Sequence, residues 1–290
     1  MGSGSFDRHV YASYSVSNGR TYDEDTGRVS GQQFVARRLD KSLDPRHFTV
    51  RECANSKEHP NTIPVILALD VTGSMGAACK ETAEALGVIM EELYRRFQDI
   101  EFCVMGIGDL AYDQAPIQMS QFESDIRIAE ALDKIYIEGN GGGNQFESYT
   151  AAWYMGLKRT RLDCFDKQGR KGIIITMGDE PLNPYLPKGT LNAMANASEQ
   201  GDVETPELYE QVIKKFDVYH IAVDDEHSSY RWHASRIEES FKPLLGDRLK
   251  VSKINNLSTT IIDCISDSLN SEAPQMPARN TVNENGEISW

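Results

Sequence analysis

The sequence of 290 residues lacks long apolar runs. None of them approaches the roughly 20 residues that a membrane-spanning helix requires. Residues 1–30 also lack the apolar core of a secretory signal, because Gly, Ser, Asp and Arg interrupt them. We therefore expect a protein that neither crosses a membrane nor carries a signal peptide in its first residues.

Cysteine is scarce, and its pattern argues against a disulfide framework. The chain has five cysteines, an odd number, and they are scattered, most of them in predicted core elements. They are Cys53, Cys79, Cys103, Cys164 and Cys264. Scattered cysteines of this kind are typical of reduced thiols in a reducing compartment. We expect a cytoplasmic protein.

Positive charge is in deficit, with 30 Lys and Arg against 44 Asp and Glu and a formal net charge of −14. A chain of this charge repels duplex nucleic acid and anionic membranes, so neither is expected as a partner. The acidity is compatible with a cation-binding site or with a basic protein partner.

The common signatures of catalysis are missing. The sequence has no Gly-x-Ser-x-Gly elbow, no H-E-x-x-H and no Cys-x-x-Cys. The glycine-rich run at 139–144 could cradle a phosphate, but it lacks the Lys-Ser/Thr of a P-loop. The histidines His220, His227 and His233 match no zinc-site spacing, and a solvated loop explains them better.

From residue 64 onward, short apolar runs alternate with helical patterns. Apolar runs predict strands at 65–69, 101–107, 172–177, 218–223 and 248–251, and an edge strand near 117–122. Helices are predicted at 80–97, 125–135, 234–245 and 259–269, and another begins with Thr205 as its N-cap. A further helix is predicted to open at the glycine run, with Phe146, Tyr149, Trp153 and Leu157 on one face. This alternation predicts an α/β fold with a doubly wound, mostly parallel, Rossmann-like sheet flanked by helices.

Composition divides the chain into three parts. Residues 1–60 lack sustained periodicity and are predicted to form a partly irregular N-terminal extension. Residues 61–270 form the predicted α/β domain. Residues 271–290, with their prolines, asparagines and glutamates, read as a loose tail.

Polar side chains follow the first buried strand at alternate positions. Asp70, Thr72 and Ser74 stand in the turn after PVILAL, and a helix starts near Ala77. Open α/β sheets place their binding sites at such strand ends. A carboxylate and two hydroxyls are hard oxygen donors that suit Mg²⁺ or Mn²⁺. The alternative is that these side chains merely cap the following helix.

Two other loops offer further oxygen ligands. Asn144 and Glu147 lie in the glycine-rich loop, where Gln145 is also possible, and Asp179 follows the strand at 172–177. Asp109 follows the strand at 101–107 and could orient a ligand or water from outside the site.

The D-x-T-x-S spacing of Asp70, Thr72 and Ser74 resembles the metal-ion-dependent adhesion site (MIDAS) of von Willebrand factor A (vWA) domains, written D-x-S-x-S. The order of this turn, the glycine-rich loop and Asp179 also resembles that family. The glycine-rich loop is similar to the GGG-D-x-x-E variant of intracellular members, with Asn144 where Asp is common.

The resemblance implies a set of roles. Thr72 and Ser74 would bind Mg²⁺ or Mn²⁺ directly, while Asp70 and Asp179 neutralise and orient. Asn144 would be the ligand from the glycine-rich loop, with Asp109 and Glu147 supporting the ligands from outside. A carboxylate of a partner protein would complete the coordination. The resemblance thus implies a protein-interaction module rather than an enzyme, with an AAA-type ATPase or a multi-subunit assembly as the expected kind of partner.

A metal-dependent hydrolase, such as a phosphoesterase, is the alternative use of the same residues. A phosphoesterase usually needs several direct carboxylates, or a basic side chain near the metal to meet the phosphate charge. The loops at 70–76, 108–113, 139–147 and 178–183 contain no Lys, Arg or His, which favours binding.

Overall fold

The computed structural model describes residues 4–138 and 146–272. Its strands are β1 (Thr21–Tyr22), β2 (Val29–Ser30), β3 (Arg51–Cys53), β4 (Ile63–Asp70), β5 (Ile100–Ile107), β6 (Ile117–Met119), β7 (Thr160–Leu162), β8 (Gly172–Gly178), β9 (Tyr185–Leu186), β10 (Val203–Glu204), β11 (Phe216–Val223) and β12 (Leu249–Ser252). Its α-helices are α1 (Arg8–Ser17), α2 (Gly76–Glu84), α3 (Leu86–Arg96), α4 (Arg127–Lys134), α5 (Thr150–Lys158), α6 (Asp163–Gln168), α7 (Lys188–Ala195), α8 (Thr205–Val212), α9 (Tyr230–Leu245) and α10 (Leu257–Glu272).

A six-stranded sheet with the order β12-β11-β8-β4-β5-β6 forms the centre of the molecule. Neighbouring strands are parallel except for β5 and β6, which pair antiparallel at the edge. Helices α2, α3, α4 and α10 contribute to the hydrophobic core on one face, and α5, α7, α8 and α9 to the core on the other. The predicted α/β, doubly wound, mostly parallel fold is therefore confirmed.

The chain reverses its direction across the sheet at β4. It passes from β4 to β5 on one side, while β8 pairs with β4 on the other. In open α/β sheets this reversal opens a crevice at the carboxyl ends of the strands, which is where ligands bind. The turn that follows β4 therefore lies at the position in the fold best suited to a binding site.

Three helix predictions differ from the structure at their ends. The helix predicted at 80–97 is two helices, α2 and α3, separated at Ala85. The N-terminal segment packs closely there, since a Cβ added to Gly87 would lie 2.6 Å from the carbonyl oxygen of Gly27. Helix α5 begins at Thr150, after the residues first assigned to it. Thr205 is the first residue of α8 rather than its N-cap, and its hydroxyl donates to the carbonyl of Asn183.

The predicted N-terminal extension folds against the domain. It contains α1, the β1–β2 hairpin and β3, which pairs in parallel with β7. Its side chains Tyr11, Val29 and Leu43 belong to the hydrophobic core on one face of the sheet. At the other end of the chain, α10 ends at Glu272, and residues 273–290 of the predicted tail lie outside the described part.

The five cysteines are all free and buried. In the described part of the chain, no helix is both long enough and apolar enough to span a bilayer.

Glu101 in β5 leads to a prediction about stability. Its side chain is buried, and within the described residues its Oε2 accepts no hydrogen bond. Burial raises the pKa of Glu101 from 4.5 to about 7. The ionised form therefore costs stability above pH 7, and this cost disappears below pH 4.5.

We expect Glu101→Gln to raise the free energy of unfolding by about 2 kcal/mol at pH 8 and to change it little at pH 4.5. Urea denaturation at the two pH values measures this difference. The exposed Glu58→Gln is the control and should leave stability unchanged at both. A Glu101→Gln protein that is less stable than the wild type at pH 8 would contradict the prediction.

Candidate metal centre

The candidate site lies at the carboxyl ends of β4 and β8. Asp70 is the last residue of β4, and Asp179 directly follows β8. The two strands are paired in parallel up to Leu69 and Met177, so they end at the same level. The fold thereby brings together two acidic residues that are far apart in the sequence.

The turn after β4 is held by its own side chains. The backbone N–H and the hydroxyl of Thr72 both donate to Oδ1 of Asp70, at 2.9 and 2.5 Å. A single 3-10 turn, Gly73–Met75, then leads into α2. Neither Thr72 nor Met75 forms a side-chain cap for the turn or helix that it precedes. The interpretation of this motif as a helix cap is therefore not supported.

Ser74 joins this turn to the next strand. Its hydroxyl donates to Oδ1 of Asp179 at 3.0 Å, and the two residues are 105 positions apart. The other oxygen of Asp179, Oδ2, accepts a hydrogen bond from the backbone N–H of Ser229 at 2.7 Å. Ser74 is exposed at the surface while Asp179 is fully buried. The cluster thus extends from the protein interior to solvent.

Tyr149 is a member of the site that sequence reasoning missed. Its hydroxyl donates to Oδ2 of Asp70 at 2.8 Å and accepts from the backbone N–H of Glu180 at 3.2 Å. The sequence places Tyr149 just after the glycine-rich loop, where it is predicted to share one face of a helix with Trp153. Gly178, directly before Asp179, is a sequence feature that agrees with this position of Tyr149. A Cβ on Gly178 would lie only 2.0 Å from the Tyr149 hydroxyl oxygen.

The electrostatics of the cluster favour a cation. Asp70 and Asp179 are both 0% exposed. Within the described ranges, neither carboxylate forms an ion pair with a basic side chain. Burial and the charge of Asp179 raise the pKa of Asp70 to about 7, and burial raises the pKa of Asp179. A bound cation would relieve both the desolvation and the mutual repulsion of these acids.

The two acids predicted to support the ligands, Glu147 and Asp109, are both buried. Glu147 is buried, and in the part of the chain that is described its Oε2 accepts no hydrogen bond. Burial, followed by the charge of Asp70, raises the pKa of Glu147 to about 10. Asp109 is buried in the loop after β5, where its Oδ1 accepts from the N–H of Ala111 and its own N–H donates to Asp113. Asn144 and the alternative Gln145 lie outside the described residues.

The candidate ligands Asp70, Thr72, Ser74 and Asp179 offer only oxygen atoms, and only two of these residues are acidic. Across 4–138 and 146–272, no group of three or more His, Cys, Asp or Glu side chains is arranged to hold a metal. The set here pairs each of two carboxylates with a hydroxyl, which suits a hard cation such as Mg²⁺. The residues present therefore fit a weakly held divalent ion.

The histidines take no part in such a site. His220 is buried in β11, where its Nδ1 lies 2.8 Å from the hydroxyl oxygen of Thr176 and its ring stacks on Phe241. His227 and His233 are exposed in the following loop and helix. Their separation agrees with the interpretation of this region as a solvated loop beside one core histidine.

Structural comparison finds similarity to domains of pilus proteins. The pilus adhesin SpaC from Lactobacillus rhamnosus GG, in its open conformation, matches with a TM-score of 0.44 and 11% identity over 72% of this chain and 31% of that chain. The vWF domain of the type V pili tip protein Mfa5 from Porphyromonas gingivalis matches with 0.44 and 11% over 76% and 99%. A second SpaC structure gives 0.46 and 12% over 75% and 32%.

The matched region spans about a third of each SpaC chain. No family model matches the sequence, and no curated protein matches it significantly. Since all three TM-scores lie below 0.5, the fold class stands on the strand order and connections described above. These features define an α/β protein with an oxygen-lined site at its topological switch point.

Proposed function

We propose that this protein is a protein-interaction module that binds a carboxylate of its partner through Mg²⁺ or Mn²⁺. The observation that carries the proposal is the pairing of a hydroxyl with a buried carboxylate in two adjacent turns. Thr72 contacts Asp70, and Ser74 contacts Asp179 across the β4–β8 boundary. The resemblance of this turn to a MIDAS supports the same interpretation.

In this proposal the hydroxyls of Thr72 and Ser74 bind the ion directly, with Asn144 of the glycine-rich loop as a further ligand. Asp70 and Asp179 supply negative charge and orient the hydroxyls. Asp70 also accepts a hydrogen bond from the Tyr149 hydroxyl, and Asp179 accepts one from the N–H of Ser229. These hydrogen bonds fix the positions of the two carboxylates. An ion with few anionic ligands keeps a strong attraction for an incoming carboxylate.

The surface around the site supports binding to another protein. Three exposed aromatic residues lie in segments that follow strands ending at this edge of the sheet. They are Tyr112 in the loop after β5, Tyr185 in β9 after β8, and Trp232 in α9 after β11. Their exposed fractions are 60%, 42% and 75%. Tyr and Trp are enriched among the residues that dominate protein interfaces. These exposed rings, in segments that follow strands ending at the same edge as the candidate site, are available for contact with a partner.

Metal binding is tested by titration with Mn²⁺. Calorimetry and the loss of the EPR signal of the free ion measure how much Mn²⁺ is bound. We expect one site per wild-type chain and at least about tenfold weaker binding in Ser74→Ala, because the substitution removes a direct ligand. Ser229→Ala is the matched control. The Ser229 hydroxyl contacts Glu180, and the variant keeps the backbone N–H that donates to Asp179. Absence of binding by the wild-type chain would refute the proposal.

The partner is sought separately, by affinity capture in Mg²⁺ and again in a chelator. A protein retained with Mg²⁺, released by chelator and absent from Ser74→Ala would support the module. A screen of phosphate esters addresses the hydrolase alternative. Metal-dependent turnover that disappears in Asp70→Ala would replace the proposed function with a phosphoesterase.

A further inference from the structure

A basic pocket lies where the N-terminal extension meets α4. It has a volume of about 840 Å³. Its basic lining residues, called here the basic surface, are Arg37, Arg38, Lys41, Arg46, His47 and Lys134. All six are exposed. Val35, which is 52% exposed, and Leu39 give the pocket an apolar wall.

The acids in the pocket are already engaged. Asp44 forms an ion pair with Arg46, with 2.8 Å between Oδ2 of Asp44 and Nη2 of Arg46. Asp133 pairs with Arg20 of the N-terminal extension. Asp40 accepts hydrogen bonds from the hydroxyl and N–H of Ser42, which lower its pKa. The charges of Lys134 and Arg38 lower this pKa further. The pocket lining has five Lys and Arg against three Asp, so the basic surface keeps a net positive charge.

Four cations of the basic surface form no direct ion pair with a described residue. Within the described residues, no carboxylate lies within 4 Å of Arg37, Arg38, Lys41 or Lys134. Asp40 is an acid near them whose pKa the charges of Lys134 and Arg38 lower, and it offsets part of their mutual repulsion. An anionic ligand would relieve the repulsion that remains. The clustering of these cations stands out in a chain with a net charge of −14, where acidic partners are plentiful.

We propose that the basic surface binds an acidic segment of a partner protein. Carboxylates of the segment would lie against Arg37, Arg38, Lys41 and Lys134, and an apolar side chain between them would cover Val35 and Leu39. The apolar wall favours a peptide over a bare polyanion. The net charge of the whole chain also repels a long polyanion such as duplex nucleic acid. The basic surface shares no residue with the candidate metal centre, so it does not depend on the proposed function.

The test uses the full chain and a fluorescent peptide of six glutamates flanking one leucine, with binding followed by fluorescence anisotropy in 50 mM salt without divalent ions. We expect saturable binding that weakens as salt is raised, because exposed charges are screened. Arg37→Glu/Arg38→Glu should weaken binding at least about tenfold, since it places like charges opposite the peptide. The thermal melt of each variant establishes that it is folded.

Arg95→Glu/Arg96→Glu is the matched control, because it reverses an adjacent pair of exposed arginines on α3 with the same change in net charge. Equal weakening by both pairs would show an effect of net charge alone and would overturn the proposal. It would be overturned equally by no binding of the wild-type chain, or by a DNA duplex binding as tightly as the peptide. Val35→Asp should weaken the peptide further if the apolar wall contributes, and an unchanged affinity would refute that part.

Discussion

Replacing Gly178 by alanine is expected to destabilise the protein by about 3 kcal/mol, at the upper end of the cost of overfilling a packed core. The added Cβ would lie 2.0 Å from the Tyr149 hydroxyl oxygen and 2.4 Å from atoms of its ring. Tyr149 cannot simply swing aside, because it is 1% exposed and packs on His220 and Phe241. The strain should also break the hydrogen bond from Tyr149 to Asp70.

Urea denaturation of the metal-free protein measures the loss. The control is Gly189→Ala in α7, where an added Cβ has no atom within 4 Å. That variant should be as stable as the wild type or more stable by about 0.5 kcal/mol, since alanine is the better helix former. If Gly178→Ala unfolds at the same urea concentration as Gly189→Ala, the close packing of Tyr149 against β8 is wrong.

Replacing Asp70 by asparagine is expected to have opposite effects in the absence and presence of Mg²⁺. At pH 8 without metal, the variant should be more stable by about 3 kcal/mol, because it loses a buried charge that faces Asp179. With Mg²⁺ at 100 times its dissociation constant, the wild type should gain about 2.7 kcal/mol by mass action. The variant should gain far less, because asparagine does not supply the negative charge.

The pH dependence of the metal-free protein follows from the same residue. The pKa of Asp70 is raised from 3.8 to about 7, so the folded state binds a proton that the unfolded state releases between these values. Stability of the wild type should therefore fall as the pH rises from 4 to 7, and Asp70→Asn should lose this contribution.

Thermal and urea unfolding at pH 5 and pH 8, with and without Mg²⁺, measure both effects. Asp224→Asn is the control, since Asp224 follows the neighbouring strand β11 and pairs with Lys253. It carries the same change of charge and should keep the full response to Mg²⁺. An Asp70→Asn protein that Mg²⁺ stabilises as much as the wild type would exclude Asp70 from the site.

Much of the fold could be predicted because its signals are local. The apolar runs that became β4, β5, β8 and β11 are each bounded by turns, and the fold class follows from their alternation with helices. The helix ends were less predictable, as the separation of α2 from α3 shows. That boundary lies where the N-terminal segment packs against Gly87, a contact between distant parts of the chain.

Some contacts of the candidate site are local and could be predicted, and others depend on the fold. Asp70 and Thr72 are two residues apart, so a short motif is enough to pair them, and the sequence by itself determined this part. Tyr149 and Ser229 reach the carboxylates from 79 and 50 residues away. No local pattern identifies such contacts.

The tertiary structure alone decided which turns meet. Sheet order set β8 beside β4, which joined Ser74 to Asp179, and the packing of the N-terminal extension brought Arg37 and Arg38 beside Lys134. The physical reason is that periodicity and turn chemistry act within a few residues. The choice of neighbours, by contrast, depends on how the whole chain buries its apolar surface.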